Sequence, residues 1–271
     1  MRLKPTSWSC KPQLPELFND MSDESTRPIL FAHRGASAHA PENTLAAFDL
    51  ALRHEADAFE LDAKLSADGQ VVVIHDQTVE RTTDGKGDVR YMTLAALQEL
   101  DAGSFFDIAF RGEHIPTLAQ VFETFGHKTY INVELTNYAS PDDDLPDRVV
   151  DLVKHNRLEK RVLFSSFNPR ALLKVKRLIP DVPVGLLALP GRRGWWARSW
   201  LGRIVVPYDA LHPESSDVTA GLVTSVHHRG HRVNVWTVNQ PEEMQRLFAL
   251  GVDGIFTDDP RLARQVLTTS R

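Results

Sequence analysis

Apolar residues follow two alternating patterns along this chain. Short, nearly continuous apolar runs lie at 29–33, 58–62, 129–135, 161–166, 182–188, 209–213, 231–238 and 252–258. Runs of this length, bounded by polar segments, read as strands buried on both faces. Between most of them the period changes. Leu45, Phe48 and Leu52 mark one helical face, and the segments 144–155, 169–178, 217–230 and 241–251 repeat the same three-to-four spacing. These predict amphipathic helices, and the last two end on Gly230 and Gly251, suited to the position just past a helix end. Eight strands with mostly helical crossovers predict an α/β fold, a TIM-type (β/α)8 barrel.

A ninth apolar run, "QVVVIHD" at 70–76, does not fit that alternation. It follows Asp68-Gly69, a hairpin turn signal. The second strand is therefore expected to overshoot the barrel rim, turn, and return antiparallel, bringing His75 and Asp76 level with Glu60 and Asp62. Residues 77–116 then read as a small, partly helical insertion after that hairpin, with "TLAQVFETF" as the crossover helix that follows.

The chain has 271 residues, 42% of them apolar, which suits one barrel domain over 29–271. The first 28 residues are polar, hold four prolines, and read as an N-terminal arm. No apolar signal region and no run of about 18 apolar residues is present, so a cytoplasmic location is expected. Cys10 is the single cysteine and excludes an internal disulfide. The net charge of −5 gives no support to a nucleic-acid partner.

In such barrels the functional residues sit at the C-terminal ends of the strands. That filter selects His33-Arg34, Glu60 and Asp62, His75-Asp76, Glu134 and Trp236. Glu60 and Asp62 are two residues apart and face the same way along a strand. With Glu134 on the next strand they offer a carboxylate set for a hard cation, Mg²⁺ or Ca²⁺. His33 and His75 are candidates for general acid and base, and the Arg34 guanidinium suits the oxygens of a phosphate. Trp236 offers an apolar wall to the rest of a substrate. Together these point to phosphoryl chemistry. No P-loop, kinase or G-x-S-x-G signature is present.

The stretches "AHRGASAHAPENTLAAFDLAL", "ELDAKLSADGQVVVIHD", "NVELT" and "VNVWTVN…GVDGIFTDDP" resemble the glycerophosphodiester phosphodiesterase family from about Ile29 to the C-terminus. The resemblance implies a barrel with a small insertion and hydrolysis of glycerophosphodiesters to glycerol 3-phosphate and an alcohol, with Mg²⁺ or Ca²⁺. It implies His33 and His75 as acid and base, Glu60, Asp62 and Glu134 as metal ligands, and Arg34 at the phosphate. The family often carries lysine two residues after the third metal ligand. This chain has Thr136 there, so Asn137 or a residue elsewhere is expected to compensate. Glu42 and Asn43 read as structural supports, Asn43 or Thr44 as the helix cap, and Asp258 and Asp259 as loop or capping residues.

One segment stands apart. Residues 189–209 hold Trp195, Trp196 and Trp200 with Arg192, Arg193, Arg198 and Arg203, just after the sixth barrel strand. Two readings stay open: an amphipathic crossover helix packed on the barrel, or a lid whose stretch 192–203 makes transient lipid contact. The second would favour a lysophospholipase D type activity. A reading from another class, an inactive barrel that binds a phosphorylated ligand, leaves the histidine pair without a purpose. The oligomeric state is not legible.

Overall fold

The computed structural model describes residues 27–269. Most of the expected N-terminal arm, with Cys10, lies outside them. Nine strands form one sheet: β1 (Ile29–Ala32), β2 (Ala58–Leu65), β3 (Val71–Val73), β4 (Tyr130–Leu135), β5 (Val162–Ser166), β6 (Val184–Ala188), β7 (Ala210–Pro213), β8 (Arg232–Val235) and β9 (Gly254–Thr257). All pairings are parallel except β2–β3, and β1 pairs with both β2 and β9. The eight parallel strands thus close into the expected barrel.

Among the described residues, ten α-helices accompany them: α1 (Leu45–Arg53), α2 (Leu94–Gln98), α3 (Leu118–Phe125), α4 (Leu145–His155), α5 (Pro169–Leu178), α6 (Trp195–Arg198), α7 (Trp200–Val205), α8 (Ala220–His227), α9 (Pro241–Ala249) and α10 (Pro260–Thr269). Among the described residues, no helix is long and apolar enough to cross a membrane.

The two-residue period of a strand decides what fills the barrel. Outward residues such as Leu30, Phe59, Leu61, Val133 and Phe164 meet the helices in the main core. Inward residues Phe31, Ala58, Tyr130, Leu163 and Phe256 plug the barrel, and the Phe31 and Phe256 rings stack at 4.6 Å. Moving two residues on along β2 and β4 replaces apolar plug by polar groups: Ala58 gives way to Glu60, and Tyr130 to Asn132. The plug is therefore a dry floor, and the chemistry-bearing layer starts one pleat above it.

The hairpin takes the expected form. Ala63 pairs with Val73 and Leu65 with Val71, and the Ile74 amide donates to the Asp62 carbonyl at 2.9 Å. Residues beyond β3 carry α2, short turns and a small apolar cluster of their own around Val72, Val79, Val89, Leu97 and Ile115. The capping box of Thr117 and Gln120 then starts α3.

The Trp-rich segment is not one helix. Ser199 breaks it, capping α7 through its Oγ, so that α6 and α7 are two short pieces.

Candidate active site

The loop after β1 makes the first contribution. Arg34 and Asn43 take left-handed backbone angles, with φ of 56° and 58°, and the Asn43 amide donates to the Arg34 carbonyl. Gly35 between them has φ of 84°, and a Cβ there would lie 2.6 Å from the Ala47 carbonyl carbon. The loop is thus pressed onto α1, which only glycine allows. Thr44, and not Asn43, caps α1. Asn43 instead turns inward, and its Nδ2 donates to Asp62 Oδ2 at 2.9 Å.

Glu60, Asp62 and Glu134 each bring a carboxylate oxygen within 4.8 Å of the others. Glu60 and Asp62 are buried. Glu60 Oε2 accepts the Arg34 backbone amide at 2.9 Å, whereas its Oε1 is buried without a partner. Arg34 Nε lies 3.2 Å from Asp62 Oδ2, and its NH1 donates to Glu42 at 2.9 Å. Tyr138 donates to Glu134 Oε1 at 2.7 Å.

Without a cation these charges conflict. Burial, then the neighbouring Asp62 charge, pushes the Glu134 carboxyl up to about 8. Burial, Asp62 and Glu134 push Glu60 well above the carboxylate range. Burial acts on Asp62 in the same sense, but Arg34, His75 and Asn43 outweigh it and hold Asp62 below its ordinary value. An orphaned buried oxygen and two carboxyls that resist ionisation fit a triad whose charge a cation would balance. The donor set, all oxygen and all carboxylate, fits Mg²⁺ or Ca²⁺.

Each histidine is oriented by its own aspartate. His33 Nδ1 lies 2.7 Å from Asp258 Oδ1, and Asp258 is fixed in turn by Ser37 and by Asn239 at 2.6 Å. His75 Nδ1 lies 2.6 Å from Asp76 Oδ1, and Asp76 accepts from Arg81 Nε at 2.7 Å. Arg81 also donates twice to Glu42. Both aspartates are held ionised. Arg81 depresses Asp76, and for Asp258 the bond from His33 outweighs the upward push of burial. An ionised acceptor holds a proton on Nδ1 and leaves Nε2 of each ring free.

These groups meet in one open cleft, whose lining includes His33, Arg34, Glu60, His75, Glu134 and Trp236. Asp62 sits against it through Arg34. Phe167, Leu187 and Trp236 form its apolar wall. The Trp236 indole meets the Phe167 ring edge-on at 5.5 Å and donates to the His212 carbonyl at 2.7 Å.

A model of the glycerophosphoryl diester phosphodiesterase family matches residues 33–262. The chain belongs to this family of enzymes. A glycerophosphodiester phosphodiesterase from Caldanaerobacter subterraneus subsp. tengcongensis is 40% identical over 235 residues, 86% of this chain and 95% of that one. An Oleispira antarctica phosphodiesterase, solved in complex with the product sn-glycerol-3-phosphate, is 32% identical with a TM-score of 0.80, covering 89% of this chain and 97% of that one. A glycerophosphodiester phosphodiesterase from Agrobacterium tumefaciens is 28% identical with a TM-score of 0.76, covering 89% of this chain and all of the other.

Some placements depart from the expectations and others agree with them. Asp258 is no mere loop residue, because it holds the His33 ring. Asp259 does cap α10, its Oδ1 accepting from the Leu262 amide. Asn137 has its side chain tied to Asp143 and Asn168. Lys64, two residues past Asp62 and inward-facing like it, places its buried Nζ 2.7 Å from Thr136 Oγ1 and 3.2 Å from the Thr136 carbonyl. Arg34, expected at a phosphate, is also the salt-bridge partner of Glu42 and Asp62, and its Nε–H makes no hydrogen bond.

Proposed function

We propose that this protein hydrolyses glycerophosphodiesters to glycerol 3-phosphate and an alcohol, in a divalent-metal-dependent reaction with His33 and His75 as the acid–base pair. The observation that carries the reading is the convergence on one cleft of the carboxylate triad, with its orphaned Glu60 oxygen, and two aspartate-oriented histidines. Glu60, Asp62 and Glu134 would hold the cation, which supplies neutralisation of phosphate charge and polarisation of a phosphoryl oxygen.

The chain's own residues do the rest. Arg34 binds a non-bridging phosphate oxygen through the part of its guanidinium that lines the cleft, while the Glu42–Arg81 pair fixes the guanidinium plane. One histidine takes a proton through Nε2 from the attacking oxygen, and the other gives one to the departing alkoxide. Asp258 and Asp76 keep both rings turned toward the cleft. Phe167, Leu187 and Trp236 cover the carbon part of the substrate and keep water from that side.

The test is release of glycerol 3-phosphate from glycerophosphocholine by the purified protein, with chelator and with Mg²⁺ or Ca²⁺ restored. Turnover that is lost to chelation and returns with either metal is expected. Full turnover in protein shown by elemental analysis to be metal-free would overturn the metal reading. Absence of turnover on a panel of glycerophosphodiesters, with metal bound, would overturn the substrate.

A further inference from the structure

The segment after β6 presents an apolar surface that the barrel does not use. Trp195 and Trp200 are each 61% exposed and Ile204 is 69% exposed, with Val205 and Leu189 partly open beside them. Trp196, between them in sequence, turns inward and packs against the main core. The fold thus half-buries one of the segment's three indoles and leaves two largely in water. Large apolar side chains grouped on a surface mark a contact site more often than accident.

The surface is also built to hold its shape. Arg198 ties the segment down, donating to the Leu189 and Gly191 carbonyls at 2.6 Å each and pairing with Asp217 at 2.9 Å. A Cβ on Gly194 would lie 1.7 Å from the Leu189 oxygen, and one on Gly202 would lie 2.3 Å from the Ala197 oxygen. Both glycines let the backbone fold tightly on itself. The outward tryptophans therefore ride on a fixed scaffold and lose little freedom on binding.

Charge decides what this surface meets. The protein as a whole is negative, yet here the acid Asp217 is matched by Arg198, and Arg203 hydrogen-bonds the uncharged His231 ring and keeps its positive charge. Arg192 and Arg193 form no ion pair among the described residues. What remains is unmatched guanidinium charge in the same segment as exposed indole and aliphatic side chains, with Arg192 beside Trp195, a composition complementary to phosphate over hydrocarbon. A second protein surface is a weaker match, since it would have to supply both.

We propose that this surface docks the protein on an anionic lipid membrane, with Trp195, Trp200 and Ile204 entering the headgroup boundary and Arg192 and Arg193 meeting lipid phosphates. The segment leaves β6 at the barrel end that carries the cleft, one residue beyond the β6 end and two beyond the cleft-lining Leu187. Docking would therefore set the mouth of the cleft toward the leaflet. The consequence for substrate rests on the phosphodiesterase reading: lysolipids embedded in that leaflet become accessible glycerophosphodiesters. The docking itself does not depend on that reading.

The test is flotation of the full-length protein with vesicles of phosphatidylcholine alone and of phosphatidylcholine and phosphatidylglycerol in equal parts. Flotation with the mixed vesicles is expected, falling as salt is raised. A Trp195→Ser/Trp200→Ser/Ile204→Ser variant and a separate Arg192→Glu/Arg193→Glu variant should each bind more than about tenfold more weakly. Both should keep the glycerophosphocholine turnover of the parent, which also shows that they are folded. No flotation on mixed vesicles, or undiminished flotation of both variants, overturns docking. Equal binding to both vesicle types overturns the role of the arginines. A dimer of the parent chain that either variant returns to monomer, seen by light scattering without vesicle binding, makes the surface a subunit interface and overturns the proposal. Because the readout is binding, an inactive enzyme would leave this test intact.

Discussion

The two walls of the barrel interior are made of the same kind of strand at the same depth, yet they differ in charge. The wall from β1, β2 and β4 carries Arg34, Glu60, Asp62, Lys64 and Glu134. The wall from β5 to β8 carries Ser165, Gly185, His212 and Asn234, with Phe167, Leu187 and Trp236 at the rim. Its polar groups are neutral; some are paired, while His212 Nδ1 and Asn234 Oδ1 are buried without a hydrogen-bond partner. Asn132 reaches across from β4 to donate to Ser165 at 2.8 Å, and Asn234 meets His212 Nε2 at 3.1 Å. Burial lowers the His212 imidazole to about 3, so it stays uncharged. Gly185 makes room for that ring, since a Cβ there would lie 2.4 Å from it. A buried charge is tolerated only where opposite charge meets it. Keeping every charge on one wall concentrates the field where a phosphate would sit and leaves the other wall to sense the shape of the alcohol.

The sharpest way to break this division is at the histidines. His33→Ala and His75→Ala should each lower kcat on glycerophosphocholine by ~10²–10⁴-fold with little change in melting temperature. A variant with near-normal turnover on a substrate whose alcohol leaves poorly would remove that ring from proton transfer.

Next in size is the support under the charged wall. Asn43→Ala takes a donor from Asp62 and should weaken Mg²⁺ or Ca²⁺ binding by about 10–100-fold, read by calorimetry. An unchanged affinity would reduce Asn43 to a loop residue.

The charged wall should also respond to pH. In metal-free protein Glu134, pushed up to about 8, holds a proton at neutral pH, and Glu60 shifts the same way. A cation must expel those protons, so affinity should climb as pH rises toward 8 by up to about tenfold per unit for each proton released. Calorimetry in buffers of different ionisation enthalpy would count them. Affinity that stays flat between pH 6 and 8 contradicts the raised carboxyls. The sign for stability is opposite. A carboxyl raised in the fold favours the folded state fully below its unfolded value, and that advantage is lost as pH climbs toward 8. Metal-free protein should therefore melt lower at pH 8 than at pH 6.

The neutral wall should give the smallest effect. Trp236→Ala should raise KM by roughly tenfold, differently for different alcohol groups, with kcat nearly kept. A uniform fall in kcat would place the indole on the reacting side and dissolve the distinction between the walls.

Much of this arrangement is legible in the sequence because strands impose a strict alternation. Glu60 and Asp62 share a face by their spacing alone, and the strand-end position of His33, Glu134 and Trp236 follows from the barrel pattern. The hairpin at Asp68-Gly69 places His75. Lys64 was within reach of the same rule, since 60, 62 and 64 lie on one face, but a lysine there reads equally as a solvent-facing residue until the rim is located. Asp258 was not within reach. Nothing local links it to a histidine 225 residues away. Asn43 carries the residue type of a helix cap, and only its left-handed backbone reveals that its side chain points elsewhere. In the Trp-rich segment the residue types suggest a helix, whereas the Ser199 cap and the close approaches at Gly194 and Gly202 divide it.

The bond between His33 and Asp258 joins the first strand of the barrel to the loop beyond the last. Glu60, Asp62 and His75, by contrast, come from one hairpin and its approach, and Glu134 from the adjoining strand. The His33 ring therefore gains its anchor only when β9 closes against β1, and a chain stopped before residue 254 would lack it. Under the proposed acid–base role, catalytic competence would in this sense be a report on completion of the barrel.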